Sequence, residues 1–330
     1  MALSGRQRIL VLGGGSGGIV AATRLARRLA GQHQVTLIDR RPDHVYMPAF
    51  LFLMVGQRRP EEITRKLDRL GRRGVDVVQA EIEGIDPTRQ EVATSAGAFP
   101  YDHLVVSLGM RPRSDLLPGF AEGADHAWEM DAALRLQKKL ATFDGGRVVI
   151  GVPPGPYRCP PAPYETQYIL HDYFVRRGIR HRVQMDFFTR DPMPRGAAHD
   201  PAVWMDARAR EMGITQHYAF AAEAVDPDAK VVQGRYGLSL PYDLLFMVPP
   251  HQPSQVLIDS HMADSLAGIR VDYDTLETRW DNVYAIGDCA DVPASKAGVV
   301  AHQEADVVAH NIAVKVIGHG EPTALRLHTM

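Results

Sequence analysis

The chain has 330 residues, 45% of them hydrophobic, so it is long enough to bury two cores of ordinary domain size. Its formal net charge of -2 lacks the basic excess that nucleic-acid binding requires, which argues against that class of function. Two cysteines, Cys159 and Cys289, exclude a disulfide framework and favour a reducing compartment. The N-terminus has no secretory pattern, and the apolar run 45–55 is too short for a membrane helix, so we expect a cytoplasmic protein.

The first forty residues predict a βαβ unit. The apolar segment RILVL leads into the turn GGGSGG, an amphipathic helix and the buried strand QVTLIDR. The turn has the G-x-G-x-x-G spacing that lets a backbone approach a pyrophosphate at a helix N-terminus, and a carboxylate after the second strand can bind a ribose diol. We predict a dinucleotide site formed by Gly13, Gly15, Ser16, Gly17, Gly18, Asp39 and Arg40.

The next part of the chain predicts a helix over 60–70, a strand at VDVVQA, a hairpin at EGIDPTRQEVAT and a strand at YDHLVVSLG. A linker rich in Pro and Gly leads to a second α/β stretch, with helices over 130–140 and 164–177 and strands at GRVVIG and RVQMDFF. Near the end, NVYAIGDCAD predicts a strand and a turn before a long helix, and we expect these to complete the first domain. The predicted fold is α/β with two Rossmann-like domains, a discontinuous one over 1–115 and 275–330 and a second over 116–274.

The second domain carries GVPPGPYRCPPAPYE where a second phosphate-binding glycine turn would be expected. Proline lacks the N–H that cradles a phosphate, and Gly155 alone cannot provide the close approaches that the glycine motif requires. We therefore interpret this loop as a degenerate NAD site and argue against NAD(P)H as the reductant. Cys159 precedes a predicted helix, whose N-terminus stabilises a thiolate, so we favour a nucleophile over an inert buried cysteine.

Two further motifs favour FAD at the first site. In VYAIGDCAD an aspartate follows a short strand and a glycine, which resembles the flavin fingerprint of two-dinucleotide-domain flavoproteins, where such an aspartate binds the ribityl chain. YDHLVVSLGMRP resembles their connecting motif, with Ser-Leu-Gly where Ala-Thr-Gly is usual. The helix that begins near residue 297 would direct its N-terminal dipole at the flavin, and the lysine before it adds positive charge or is a surface lysine. The residues predicted on the flavin side are Ser107, Gly109, Gly287, Asp288 and Lys296.

Taken together, PPGPYRCPPAPYE, HVYMP, YDHLVVSLG, GDCAD and SKAGVVAHQEADVVAHNI resemble the sulfide:quinone oxidoreductase and flavocytochrome c sulfide dehydrogenase family. The resemblance implies covalent or non-covalent FAD, oxidation of sulfide or a small sulfur compound at a cysteine pair, and a quinone-like or cytochrome acceptor. Cys159 matches the family cysteine of the proline-rich loop. Glu165 matches a carboxylate proposed to handle protons, with a first-turn glutamate favoured by the helix dipole as the alternative. We interpret Cys289 as structural.

The family's partner cysteine and its amphipathic membrane anchor lie downstream of the long helix, beyond the last motif of this sequence. A shortened chain, a second subunit that supplies those parts and a different chemistry all stay open, as do peripheral membrane contact and a homo-oligomer. Two other functions also stay open: an NAD(P)H dehydrogenase of the same superfamily and a flavin-binding subunit without turnover. The histidines have no zinc-binding spacing, so we predict no metal.

Overall fold

A computed structural model describes residues 5–152, 155–193, 199–263 and 266–327 of the chain. The strands in the described residues are β1 (Arg8–Leu12), β2 (Gln34–Asp39), β3 (Asp43–Val45), β4 (Thr64–Lys66), β5 (Asp76–Gln79), β6 (Ile82–Asp86), β7 (Glu91–Thr94), β8 (Gly97–Pro100), β9 (His103–Val106), β10 (Met110–Pro112), β11 (Gly146–Val152), β12 (Val183–Thr189), β13 (Ile214–His217), β14 (Ala222–Asp226), β15 (Val231–Gly234), β16 (Ser239–Pro241), β17 (Leu244–Met247), β18 (His251–Pro253), β19 (Ile269–Arg270), β20 (Val283–Ala285) and β21 (Ala290–Asp291).

The α-helices in the same residues are α1 (Ser16–Arg28), α2 (Phe50–Met54), α3 (Phe120–Gly123), α4 (Met130–Thr142), α5 (Ala162–Arg176), α6 (His199–Glu211), α7 (Gln255–Asp259) and α8 (Gly298–Ile317). Short 3-10 turns occupy Met47–Ala49, Pro60–Glu62, Leu67–Arg73, Ser114–Leu116, Arg180–Arg182, Arg235–Gly237 and Gly287–Cys289. None of the described helices has both the length and the hydropathy that crossing a bilayer requires.

The chain divides into two compact units. The first contains the chain up to Val45, Thr64–Arg111 and the chain from Gln252 onward, and the second contains Tyr46–Ile63 and Pro112–His251. Apart from residues 112–115, which group with the second unit, these units differ from the boundaries predicted from the sequence at two places. Residues 46–63 group with the second unit, and residues 252–274 group with the first.

Packing explains both differences. The apolar run predicted as part of a loop forms α2, which packs against α4, and the Gln137 side chain donates a hydrogen bond to the Leu53 carbonyl at 2.8 Å. Leu257 and Met262 are buried in the core of the first unit. In the same region, the backbone N–H of Ile85 donates to the Ser260 hydroxyl at 3.0 Å.

The first unit is built on a five-stranded parallel sheet in the order β5-β2-β1-β9-β20. Its strands are nearly continuous apolar runs, as expected for a sheet covered on both faces. Strand β20 pairs with β9, and α8 packs along α1, so the C-terminal strand and helix belong to the first unit. The predicted hairpin at β6 and β7 is also present, and β8 extends it.

The second unit contains a parallel sheet in the order β13-β12-β11-β17. Helix α5 packs on β11, so β11, α5 and β12 repeat the strand-helix-strand order of the first unit. Strands β14, β15 and β16 form an antiparallel sheet whose apolar side chains pack with Phe120, Phe188 and Phe220. The structure is therefore α/β with two parallel βαβ sheets, as predicted.

The helix predicted over 60–70 is wrong. Pro60–Glu62 forms one 3-10 turn, Thr64–Lys66 is β4, and Leu67–Arg73 is a second 3-10 turn that ends at Gly74. Strand β4 pairs antiparallel with β3, so a tertiary contact overrides the helical propensity of this segment.

Candidate functional site

The loop after β1 needs glycine at two positions for steric reasons. Gly13 has φ +101°, and a Cβ there would lie 2.4 Å from the Ser107 carbonyl oxygen. A Cβ on Gly18 would lie 1.9 Å from the Gly13 carbonyl oxygen. A Cβ on Gly15, by contrast, would meet no heavy atom within 4 Å. The loop is therefore tightly packed on the sheet side and open at Gly15.

Asp39, at the end of β2, is fixed against this loop by backbone donors. Its Oδ2 accepts the Gly14 N–H at 2.6 Å, and its Oδ1 accepts the Arg41 N–H at 2.8 Å. A carboxylate has about four lone-pair sites, so it can accept further hydrogen bonds from a diol. The neighbouring Arg40 behaves differently, because its guanidinium lies on the surface 3.8 Å from the Glu81 carboxylate. The structure brings Asp39 to the loop and does not bring the Arg40 side chain there.

Two helix N-termini meet beside the loop. A Cβ on Gly298, the first residue of α8, would lie 3.5 Å from the Ser16 hydroxyl at the start of α1. No side chain caps either helix, and neither first turn contains an acidic residue. The first N–H groups of a helix have no partner within the helix, and the helix dipole favours an anion there. This region is therefore suited to binding an anionic group.

Ser107 connects the glycine loop to the turn after β20. A Cβ on Gly17 would lie 2.9 Å from the Ser107 hydroxyl, and one on Gly287 would lie 4.0 Å from it. Gly287 has φ +71° and Gly109 has φ +63°, both in the left-handed region that favours glycine. The 3-10 turn that begins at Gly287 carries Asp288 next to the same group of residues. The structure thus brings together the glycine-loop residues and the residues predicted on the flavin side.

A small cavity lies at this turn and is lined by Gly287, Asp288, Lys296, Ala297, Val300 and Glu304, among others. The ammonium group of Lys296 donates a hydrogen bond to the Ala290 carbonyl. It is therefore held within its own segment, which stabilises the approach of the chain to α8. Lys296 lines the cavity. That it adds positive charge beside a bound flavin stays a prediction.

In the second unit, Cys159 lies in the loop between β11 and α5, and Pro153 and Pro154 of that loop lie outside the described residues. Cys159 is half-buried and has φ +59°, a conformation that is uncommon for a residue with a side chain. Its carbonyl accepts the Ala162 N–H, at the first position of α5, at 3.0 Å. Pro163, at the second position, has no N–H to offer. Two of the three first-turn donors that could bind a phosphate are therefore occupied or missing.

Trp128 and Arg158 hold this loop through a reciprocal contact. The Trp128 indole N–H donates to the Arg158 carbonyl at 3.1 Å, and the Arg158 guanidinium donates to the Trp128 carbonyl. The backbone N–H of His251 donates to the Pro156 carbonyl at 3.2 Å. The chain just before Cys159 is thus held at Pro156 and Arg158, and the Ala162 N–H holds the Cys159 carbonyl itself.

The two remaining predicted residues of interest have contrasting environments. Glu165, in the first turn of α5, is exposed as a residue. Partial burial of its carboxyl nevertheless raises its pKa above the ordinary value. Cys289 is fully buried, its thiol contacts the carbonyl oxygens of Ile286 and Val106 at 3.3 and 3.5 Å, and burial raises its pKa to about 11. A thiol with that pKa is unreactive at neutral pH, which agrees with the interpretation of Cys289 as structural.

The sequence interpretation missed several residues of these two sites. His44 contacts the Gly14 carbonyl through Nδ1 at 2.9 Å, and Nδ1 must carry the proton because a carbonyl only accepts. Trp128, Arg158 and His251 brace the cysteine loop, as described above. Glu304 gave a signal in the sequence, because it lies four residues after Val300 on a stripe of α8 that is otherwise apolar.

In the described part of the chain, no group of three or more His, Cys, Asp and Glu side chains is arranged to hold a metal ion. The first site offers backbone N–H donors, a serine hydroxyl and carboxylate acceptors. The N–H donors suit phosphates, and the carboxylate acceptors suit ribose hydroxyls.

Comparison with known proteins agrees with this geometry. Residues 7–152 match the pyridine nucleotide-disulphide oxidoreductase family, and residues 133–249 match the central region of the flavoprotein chain of sulfide dehydrogenase, flavocytochrome c. A mitochondrial sulfide:quinone oxidoreductase of Mus musculus is 28% identical over 312 residues, which cover 89% of this chain and 68% of the relative.

The crystal structure of the sulfide:quinone oxidoreductase from Aquifex aeolicus superposes with a TM-score of 0.84 at 28% identity, covering 93% of this chain and 76% of that one. A shorter match, 35% identical over 147 residues, is to an NADH dehydrogenase-like protein of Mycobacterium tuberculosis and covers 42% of this chain and 36% of the relative. Of the proteins just described, the two that match over most of the chain are both sulfide:quinone oxidoreductases. Together with the cysteine loop and the two-part dinucleotide site, these matches support the sulfide:quinone oxidoreductase and flavocytochrome c sulfide dehydrogenase family for this chain.

Proposed function

We propose that this protein is an FAD-dependent oxidoreductase that takes electrons from sulfide, or from a small sulfur compound, and passes them to a quinone-like acceptor. The observation that carries the proposal is the loop after β11. There Cys159 is half-buried and has φ +59°, where a nucleotide-binding loop would present N–H donors. The relatives that match over most of the chain are named for sulfide and quinone.

The residues of the first unit fit FAD. The open space at Gly15 and the uncapped N-termini of α1 and α8 suit a pyrophosphate, and Asp39 suits a ribose diol. Asp288 would bind the ribityl chain, with Ser107, Gly109 and Gly287 leaving room beside it. When bound, FAD supplies a two-electron acceptor, and the protein supplies its binding and orientation.

Cys159 is the residue that would react with sulfide. Its thiolate and one hydrosulfide ion form a persulfide: the S–S bond forms, the S–H bond breaks, and one proton and two electrons are released. A bound FAD would supply the acceptor for the two electrons, and the proton would leave to a base. The start of α5 stabilises the thiolate through the helix dipole, so Cys159 is a nucleophile at neutral pH in this proposal.

Glu165 is the residue that would accept the released proton. It follows Cys159 by six residues and lies in the first turn of the same helix. Its raised pKa brings it closer to neutrality than an ordinary glutamate, which is what a base that exchanges protons requires. A Glu165→Gln variant should lower the rate of flavin reduction by sulfide most at pH values above the Glu165 pKa, where the wild-type carboxylate is ionised and can accept the proton.

The rival function is an NADH dehydrogenase, which the 147-residue relative favours. That match covers 42% of this chain, whereas the Mus musculus sulfide:quinone oxidoreductase matches 89% of it. The second loop separates them, because prolines at 156, 160, 161 and 163 carry no N–H for a diphosphate. A flavin-binding subunit without turnover is the second rival.

Anaerobic rapid mixing of the FAD-loaded protein with sulfide or with NADH tests the proposal. Sulfide should bleach the flavin absorbance in a step that Cys159→Ser abolishes and Cys289→Ala retains, and NADH should leave it oxidised. Bleaching by NADH would establish the dehydrogenase instead. Bleaching by neither donor would support the subunit without turnover.

The acceptor and the location of the enzyme need a separate experiment. Sulfide-reduced protein should be reoxidised by a soluble ubiquinone analogue, and sedimentation with liposomes should retain part of the protein if it contacts membranes peripherally. Reoxidation by cytochrome c alone, with no reaction of the quinone, would show that the acceptor is a cytochrome and would overturn the quinone part of the proposal.

A further inference from the structure

Glu304 is a buried acid that the proposed chemistry does not use. It is 1% exposed and lies on the face of α8 that also buries Val300 and Val308. Glutamate is almost never buried this completely unless it is paired, because removing its charge from water costs several kcal/mol. A carboxyl at this position therefore requires a reason other than packing.

Its contact is with the turn that carries Asp288. The Oε2 atom of Glu304 accepts the backbone N–H of Gly287 at 2.5 Å. Gly287 is in the left-handed region at φ +71°, and Asp288 is the next residue. The carboxyl of Glu304 thus fixes the orientation of the peptide that presents Asp288. Both residues line the same small cavity as Glu304.

The charges around Glu304 leave it close to the point of ionisation. Burial raises its pKa to about 7, while the Gly287 N–H and Lys296 lower it and Asp288 raises it. Lys296 forms its own hydrogen bond with the Ala290 carbonyl, so it compensates only part of the burial. From α1, the helix packed against α8, Arg24 is paired with Asp306 at 2.7 Å.

We propose that Glu304 is a positioning residue that takes up a proton when FAD binds, which makes FAD affinity fall as the pH rises. The inference rests on the proposed binding of FAD in the first unit. FAD brings two negative charges to a region that already holds Asp288, and each disfavours the ionised form of Glu304. The protonated carboxyl still accepts the Gly287 N–H through one oxygen. By linkage, proton uptake on binding requires weaker binding at higher pH.

The test uses FAD-loaded full-length protein diluted at pH 6.0, 7.0 and 8.5, with released FAD measured by its fluorescence. For the wild type, we expect the Kd to rise about tenfold over this range, which corresponds to a shift of about one unit in one pKa. In E304Q, which keeps an oxygen for the Gly287 N–H but cannot ionise, the Kd should be nearly constant. The control E83Q removes an exposed carboxylate of the same unit and should retain the wild-type slope.

An equal pH slope in wild type and E304Q would overturn the inference and leave FAD binding intact. Failure of the wild type to hold FAD at any pH would instead overturn the proposed function. A second measurement does not depend on a variant: FAD added to the FAD-free full-length chain in weakly buffered solution at pH 7 should consume a fraction of a proton per site. No proton uptake there would also refute the role of Glu304.

Discussion

The loops that follow β1 and β11 occupy the same place in two βαβ units, yet they differ in how many backbone N–H groups they can offer to a ligand. The first has open space at Gly15 and an uncapped helix start, so its N–H groups can face an anion. In the second, the Ala162 N–H is already bonded to the Cys159 carbonyl and Pro163 has no N–H. One strand-loop-helix geometry can therefore present either backbone donors or, as we propose for Cys159, a single nucleophilic side chain.

The two loops also differ in how they are held. The glycine loop packs against its own strand and the Ser107 carbonyl, at distances that no side chain would tolerate. The cysteine loop is held by side chains, through the reciprocal Trp128 and Arg158 hydrogen bonds. This difference indicates that the first loop is shaped for a ligand to approach its backbone. The second is shaped to fix one residue in an unfavourable conformation.

The largest expected effect comes from removing the Cys159 thiol, the group that distinguishes the second loop from the first. Cys159→Ser should slow flavin reduction by sulfide by roughly 10²- to 10⁴-fold, because the hydroxyl is not ionised at neutral pH. Stopped-flow absorbance of the FAD-loaded protein measures the rate. Cys289→Ala removes the other thiol and should change the rate little, so an equal loss in both variants would assign the effect to folding.

The second prediction concerns three buried ionisable groups, one acid in the first unit and two histidines in the second, whose pKa values are shifted in opposite directions. Glu304 has a folded pKa of about 7, above its unfolded value, so its stability contribution is complete below about pH 4.5 and is lost as the pH rises through 7. In the second unit, burial lowers the pKa of His251 to about 3 and that of His126 to about 4. Their contribution is complete above about pH 6.5 and is lost as the pH falls through 4 to 3.

Between pH 4 and 9, each of these groups should change the free energy of unfolding by up to about 3 kcal/mol. Chemical denaturation of FAD-free protein between pH 4 and 9 measures this. E304Q should remove the decline on the alkaline side, and His251→Gln should reduce the decline on the acid side. Identical pH profiles in all three proteins would contradict the assignment.

A smaller effect tests the openness of the glycine loop. Gly15→Ala places a methyl group where no protein atom lies within 4 Å, so folding should be unaffected while FAD affinity falls about tenfold, or ~1.4 kcal/mol. Fluorescence titration gives the affinity, and thermal unfolding of FAD-free protein gives the stability. The matched variant Gly71→Ala, also in open space, should change neither. Unchanged FAD affinity in Gly15→Ala would show that the pyrophosphate does not approach this position.

The smallest predicted effect concerns the backbone at Cys159. A residue other than glycine at φ +59° costs about 1 kcal/mol, so Cys159→Gly should be more stable than Cys159→Ala by about that amount. Denaturant titration of the two variants compares them without any effect of the thiol. Equal stability would show that the loop relaxes and does not hold this residue in a strained conformation.

The sequence predicted the parts of the fold that depend on local pattern. Glycine spacing after an apolar strand predicted the turn at Gly13, and the two unpaired C-terminal elements predicted the return of β20 and α8. The prolines around Cys159 were enough to argue against a phosphate cradle there. Local chemistry was sufficient in these cases because each residue type restricts its own backbone.

Contacts between distant segments could not be predicted in the same way. The pairing of β3 with β4 converted a predicted helix into a strand, and no local feature of Thr64–Lys66 indicates it. Glu304 and Gly287 are 17 residues apart, and Trp128 and Arg158 are 30 residues apart. Their partners become apparent only when the sheets assemble. For Arg40, adjacency to Asp39 in sequence suggested a shared role, but its side chain lies at the surface with Glu81.

The central claim is that the loop after β11 presents sulfur chemistry in place of a nucleotide diphosphate. Crystals of the FAD-loaded protein, soaked anaerobically with sulfide in one case and NADH in the other, test it most directly. We expect additional electron density on the Cys159 Sγ after sulfide and no dinucleotide density at the loop after NADH. An ordered NADH diphosphate along residues 155–163, with an unmodified Cys159 after sulfide, would contradict the account.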